Sequence, residues 1–167
     1  MNATLICRQA TAGDAVSLQN LAANTWRQFE SVIGADSWTF LSAALDKVNY
    51  AALIDSAYGV LVEDAGRIVG MAFLVPSGNP TDIFSADWCY VRMVTVDAAY
   101  NGQGIGRRLM ELCVARAKTD HEKVIALHTS EFMNAARRIY ESIGFRIERE
   151  LEPRFGKRYW LYTMNLH

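Results

Sequence analysis

Apolar and polar positions along the chain change period several times, and each change marks an element. Thr4 to Gln9 reads as a first strand. Asp14 is placed to cap a helix whose apolar face carries Leu18, Leu21, Trp26 and Phe29. Ser37 is placed to cap a second helix, with Phe40, Leu41, Ala44 and Leu45 inside. Tyr58 to Glu63 and Arg67 to Val75 are strand-like runs about Asp64-Ala65-Gly66, a hairpin signal. Pro76 to Pro80 reads as a loop, expected to be mobile, and Trp88 to Val96 is the longest strand candidate. Ile105, Leu109, Leu112 and Cys113 then share one helical face. Val124 to Thr129 reads as a short buried strand. Ala136, Ile139, Tyr140 and Ile143 form another helical face, which Gly144 is placed to end. Phe145 to Glu150 and, after Gly156, Arg158 to Asn165 are closing strands.

The strand–helix–strand order around Asp97 to Ile125 predicts parallel pairing, and the hairpins predict antiparallel pairing. The expected fold is therefore α/β (α+β), a mixed sheet with helices against it. With 167 residues, half of them apolar, and no repeat, linker or low-complexity segment, residues 1–167 are expected to form one domain.

Charge and cysteine content narrow the function classes. A net charge of −1 gives no global field favouring nucleic acid or a membrane surface. No run approaches the length of a membrane span, and the N-terminus lacks a signal-peptide pattern, so a cytoplasmic location is expected. Cys7, Cys89 and Cys113 lie far apart, without metal-binding or disulfide spacing, and read as buried small hydrophobes in a reducing compartment. No metal site is expected.

The most informative stretch is Asn101-Gly102-Gln103-Gly104-Ile105-Gly106-Arg107-Arg108, between the long strand and the Leu109 helix. A helix start presents free backbone N–H groups and a partial positive charge, and glycines let a ligand approach closely. A phosphate or pyrophosphate is the natural guest, and the Arg107–Arg108 pair fits one. The dinucleotide fingerprint requires glycine where Arg107 stands, and no P-loop run exists in the chain.

About thirty residues later comes Tyr140-Glu141-Ser142-Ile143-Gly144-Phe145. The two motifs, in this order and at this separation, resemble the GNAT superfamily of acyl-CoA-dependent N-acetyltransferases. That family carries a [QR]-x-x-G-x-[GA] pyrophosphate loop after its fourth strand and Y-E-x-x-G-F at the end of a later helix. Here Asn101 takes the first position of the loop motif. The resemblance covers about Thr4 to Leu166. It implies the GNAT fold, a mostly antiparallel central sheet with parallel pairing of the fourth and fifth strands, in a single acyl-CoA N-acyltransferase domain. It also implies acetyl-CoA as cosubstrate and direct transfer of its acetyl group to a primary amine in a ternary complex. The acceptor would be a small molecule or a protein N-terminus, and a homodimer is left open.

On the same resemblance, Gly102, Gln103, Gly104, Ile105, Gly106, Arg107 and Arg108 would hold the pyrophosphate. Backbone groups of Val94, Thr95 and Val96 would meet the pantetheine arm and the thioester carbonyl. Tyr140 would be the general acid. His128, twelve residues before it, would be the base, since some relatives place a catalytic Glu there. Glu131 and Asp87 are alternatives for that role, and Ser130 could cap the Tyr140 helix instead of reacting. Acceptor sites of the family use the first helices, the start of the fourth strand and the final hairpin. Here those regions hold Trp26, Phe29, Glu30, Trp38, Trp88, Tyr90, Phe155, Tyr159 and Trp160, which could receive an aromatic or cationic amine. Two other readings stand beside this one: a CoA-binding sensor without turnover, and an unrelated nucleotide- or phosphate-ligand-binding module.

Overall fold

The computed structural model describes residues 4–167. Seven strands form one sheet in the order β1-β2-β3-β4-β5-β7-β6. They are β1 Leu5–Gln9, β2 Tyr58–Asp64, β3 Arg67–Val75, β4 Cys89–Val96, β5 Val124–Ser130, β6 Arg146–Arg154 and β7 Lys157–Asn165. Only the β4–β5 pair is parallel, and every other neighbouring pair is antiparallel. The mixed sheet and the parallel fourth and fifth strands are as the sequence predicts.

Strand alternation divides the core between the two faces. Helices α1 Ala15–Trp26, α2 Glu30–Ile33, α3 Ala35–Asp46 and α4 Tyr50–Ser56 accumulate before β2. Leu18, Leu21, Tyr50 and Leu53 pack with Leu61, Met71, Phe73, Tyr90, Ala126 and Leu161 on one face. The other face carries α5 Ile105–Thr119 and α6 Asn134–Ile143. There Ile105, Leu109, Cys113 and Tyr140 pack with Val60, Val69, Val91, Leu127 and Tyr162. Gly70 on β3 lets α5 settle directly on the sheet, because a Cβ there would stand 2.8 Å from Ile105 Cγ2 and 3.3 Å from Leu109 Cδ1.

Several local expectations are corrected. Asp14 leads into α1 but caps backward: its carboxylate accepts from the Thr11 N–H at 2.7 Å and from both Arg8 guanidinium N–H groups at 2.8 Å. The Arg8 hydrogen bonds hold the Asp14 carboxyl down to about 2, and Arg8 also donates to Glu63 at 2.8 Å, which ties β1, α1 and β2 together. The second helix starts at Ala35, before Ser37, and its inner face carries Leu41 and Leu45, while Phe40 and Ala44 are exposed. Helix α4 is absent from the sequence-based plan, although Asn49 caps it by accepting from the Ala52 N–H at 3.0 Å. Cys7 is exposed on the outer strand, whereas Cys89 and Cys113 are buried as expected. The Pro76–Pro80 loop is tied down: Gly78 donates to the Ala86 carbonyl at 2.7 Å, and the Tyr90 hydroxyl donates to the Asn79 carbonyl at 3.1 Å. Among the described residues, no helix is long and apolar enough to cross a membrane.

Candidate active site

The sheet opens at its middle. β4 and β5 pair only as Cys89↔Ile125 and Tyr90↔Ala126, yet the strands continue to Val96 and Ser130. Each arm keeps its outer partner, β3 for β4 and β7 for β5, and loses its inner one. The inner backbone N–H and C=O groups beyond Tyr90 and Ala126 are therefore left for a ligand or water.

A bulge widens the opening. Arg92 pairs with Phe73 and Thr95 with Met71, so Met93 and Val94 together stand opposite Ala72. Met93 takes a left-handed φ of 56°, and the Thr95 hydroxyl donates to the Met93 carbonyl at 3.1 Å, closing the bulge on itself. This re-aims the backbone of Val94, Thr95 and Val96, the three residues assigned from sequence to backbone contacts.

The chain leaving β4 is anchored before it reaches the glycines. Asp97 accepts from the Ala99 N–H at 3.0 Å and forms an ion pair with Arg67, and the Tyr100 hydroxyl donates to Asp64 at 2.6 Å. Both contacts bind the turn to the β2–β3 hairpin. Gly104 then caps α5 in the left-handed region at φ 80°, and Gly102 has the same φ. The first helical bond runs from the Arg108 N–H to the Gly104 carbonyl at 3.0 Å, so the N–H groups of Ile105, Gly106 and Arg107 have no acceptor within the helix. A Cβ at Gly102 or Gly104 would meet nothing within 4 Å, so the turn that leads to these N–H groups is open. Gln103 and Arg108 are exposed beside that space. Arg107 instead leans across to α6, where it meets Ser142, and along α5 to Glu111 at 3.5 Å.

Tyr140 and His128 lie on opposite faces of the sheet, on either side of the opening. Tyr140, on α6, is buried with Phe145, their ring centroids 6.1 Å apart, in the cluster that holds Cys113, Val91 and Leu127. Its hydroxyl has no hydrogen-bond partner among the described residues, yet it is not sealed from solvent. Burial raises its pKa, so the phenol stays protonated.

His128, on β5, projects to the other face between Phe84 and Tyr159, at centroid distances of 6.1 and 6.4 Å. Rings continue both ways. Phe84 stacks on Tyr90 at 4.2 Å, and Tyr159 leads through Phe132, Phe29 and Trp26 at 6.3, 5.0 and 5.5 Å. The His128 ring touches solvent but is crowded by this cleft, and loss of hydration lowers its pKa below the ordinary histidine range. The Arg154 and Arg92 charges act in the same direction and Asp82 opposes them. Solvent contact limits how far the fall goes. The neutral imidazole prevails near neutrality.

The remaining candidates separate. Ser130 donates to the Arg158 carbonyl at 2.7 Å and caps nothing, since α6 starts at Asn134 without a side-chain cap. Asp87 is an exposed turn residue and Glu131 is half-buried, its backbone N–H bound to Arg158. Trp160 faces away from the His128 cleft, between the guanidinium groups of Arg137 and Arg158 at 4.1 and 4.9 Å. Phe155 meets Phe40 at 6.3 Å, joining the β6–β7 turn to α3. Burial pushes the Cys89 and Cys113 thiols up to about 12, so both are held as thiols. Sequence reasoning missed Phe84, Phe132, Arg92 and Arg154. Arg92 carried a signal, as the lone charge in the apolar run Cys89 to Val96.

Comparisons with known proteins bear on the family and the fold. The family model described as the acetyltransferase (GNAT) family matches residues 18–145. N-alpha-acetyltransferase 30 of Saccharomyces cerevisiae is 34% identical over 56 residues, covering 34% of this chain and 32% of the yeast protein. N-acetylaspartate synthetase of Xenopus tropicalis is 32% identical over 81 residues, covering 48% of this chain and 28% of the frog protein. The chain thus matches about a third or less of these relatives' lengths. Among solved structures, yncA of Salmonella typhimurium with its cofactor acetyl-CoA superposes with a TM-score of 0.70 at 17% identity, over 98% of this chain and 95% of that one.

The open space over Gly104 leads to a specific expectation. Gly104→Val puts two methyl groups where a phosphate would meet the helix N-terminus. Acetyl-CoA affinity measured by calorimetry should fall about tenfold or more, ~1.4 kcal/mol, in a variant that still unfolds cooperatively. Unchanged affinity in that folded variant would put the pyrophosphate elsewhere.

Proposed function

The chain belongs to the acetyltransferase (GNAT) family, and from that premise we propose that it is an acetyl-CoA-dependent N-acetyltransferase that passes the acetyl group directly to a primary amine of a small molecule or peptide N-terminus. The observation that carries the reading is the opening between β4 and β5, with a phenol on one face, an imidazole on the other, and a glycine-capped helix start at its end.

The residues present fit the cosubstrate. Gly102 and Gly104 leave room that a Cβ would fill, and the N–H groups of Ile105, Gly106 and Arg107 suit a pyrophosphate. Gln103 and Arg108 are exposed beside it and would complete the cradle. The unpaired inner edge of Val94, Thr95 and Val96 suits the amides of the pantetheine arm and would supply an N–H donor to the thioester oxygen. When bound, acetyl-CoA supplies an already activated acyl group, so the protein's work is positioning and proton transfer.

His128 receives the proton of the attacking nitrogen. Its lowered basicity suffices there, because an amine N–H becomes much more acidic once nitrogen bonds to carbon, and a neutral imidazole is available across the neutral range. Tyr140 donates its proton to the departing sulfur. The apolar surroundings that raise the phenol pKa also disfavour a free thiolate, so donation spares the site a buried sulfur anion. The buried, protonated Cys89 and Cys113 do not offer a nucleophile to the cleft. That supports attack by the amine itself without a cysteine-bound acyl group.

Tyr140→Phe removes only the hydroxyl, which bonds to nothing else among the described residues. With chemistry limiting, kcat should drop about a hundredfold and acetyl-CoA affinity should hold. A near-normal kcat would reduce Tyr140 to a packing residue. For His128, the profile of kcat/KM against pH is the sharper reporter. Activity requiring the neutral ring rises as pH passes upward through its pKa, so the histidine limb should lie on the acid side of the ordinary histidine range. His128→Gln should lower kcat/KM and remove that limb when measured with the same acceptor, so that the amine's own titration cancels. An unaltered profile and rate would eliminate His128 as the base.

A further inference from the structure

The acceptor side of the opening is cationic, although its walls are aromatic. Arg92 stands on β4 two residues past the last β4–β5 pair, Tyr90↔Ala126, and His128 stands two residues past it on β5. The two side chains therefore occupy equivalent places on the two arms, on the same face. Arg154 pairs with Lys157 in the final hairpin, two positions from Tyr159, the ring beside His128, and its charge and that of Arg92 both act on the imidazole. Neither guanidinium has an ion-pair or hydrogen-bond partner among the described residues, unlike Arg8, Arg67, Arg116 and Arg158. Asp82 is the one acid whose charge is felt at His128.

Arg92 also lines a cleft of about 450 Å³ beneath α3 and α4, together with Lys47, Asn49 and Ser56. Beside it, Tyr50 rests on Phe73, the cross-strand partner of Arg92, at a centroid distance of 6.2 Å. The Tyr50 hydroxyl is the one buried side-chain polar atom without a hydrogen-bond partner among the described residues. Unpaired arginines flanking a reaction centre suit a carboxylate and repel a polycation, because like charges repel and a guanidinium fork matches a carboxylate.

We propose that Arg92 and Arg154 bind a carboxylate carried by the acceptor close to its amine, so that the acceptor is an amino acid. This rests on the acetyl-transfer reading and narrows the acceptor class within it. It replaces the sequence-based expectation of a cationic amine, and it leaves the aromatic walls to hold the acceptor's side chain.

The test compares free L-amino acids, their amides and their decarboxylated amines as acceptors, with released thiol as readout. The acids should exceed the matching amides by about tenfold or more in kcat/KM. Arg92→Gln and Arg154→Gln should each reduce that acid-to-amide ratio about tenfold, mainly through KM, with Arg92→Lys recovering part of it. Acetyl-CoA binding reports that each variant is folded. Amides or decarboxylated amines that serve as well as the acids would overturn the proposal. If no amine releases thiol, the acetyl-transfer reading fails by itself, and calorimetry of N-acetyl-L-amino acids against the CoA-loaded protein decides the carboxylate site. Binding lost in Arg92→Gln would uphold that site, and binding absent or indifferent to the substitution would refute it.

Discussion

Everything in this structure depends on how little of the β4–β5 contact is made. Two residue pairs join the strands before they part. A sheet normally conceals its backbone by pairing, and an unpaired buried N–H or C=O costs about as much as a lost hydrogen bond. Here the cost is limited because each arm keeps a full antiparallel partner on its outer side, β3 for one and β7 for the other. The β4 bulge and the anchored turn at Asp97 and Tyr100 fix the arm that leads to the glycines. The opening is thus a rigid product of the surrounding sheet, with backbone groups already aimed into it. Preorganisation of that kind is what group transfer from an activated donor most needs.

The opening also sorts the chemistry by face. On the α5–α6 side Tyr140, Cys89 and Cys113 are buried among apolar atoms, and burial holds all three protonated. Across the sheet the rings crowding His128 and the charges of Arg154 and Arg92 hold it neutral against its contact with solvent. A group held protonated and a group held neutral thereby stand in environments that push their protonation states apart, which supports the acid and base roles proposed for them. Donor and acceptor molecules approaching from different faces would meet only at the gap.

What could be read from the sequence follows how local each feature is. The glycine turn, the β2–β3 hairpin and the faces of α5 and α6 are written in neighbouring residues, and the structure reproduces them. The turn and helix start proposed to cradle the cofactor were legible for the same reason, since they are built from backbone at consecutive positions. Helix α4 was hidden in an alanine-rich stretch, where the Asn49 cap is its clearest mark. Phe40 misled because it lies next to the true inner face of α3, one position from Leu41. Cys7 misled because the outer strand exposes what a central strand would cover. The acceptor cleft was the least legible part. The rings and arginines named there come from α1, the α1–α2 segment, the β3–β4 segment, β4, β5, the β5–α6 segment, β6 and β7, and only the folded sheet brings them together.

The central claim is that the gap between β4 and β5 and the start of α5 form one continuous binding surface made of backbone. Amide hydrogen exchange with and without acetyl-CoA reads that surface, because the β4 N–H groups that face the gap and those at the start of α5 lack partners inside the protein and a ligand would supply them. Acetyl-CoA should slow exchange within residues 94–96 and 103–107 together, with little change in the α3–α4 region. Protection that spares either segment, or that falls mainly on α3 and α4, would contradict it.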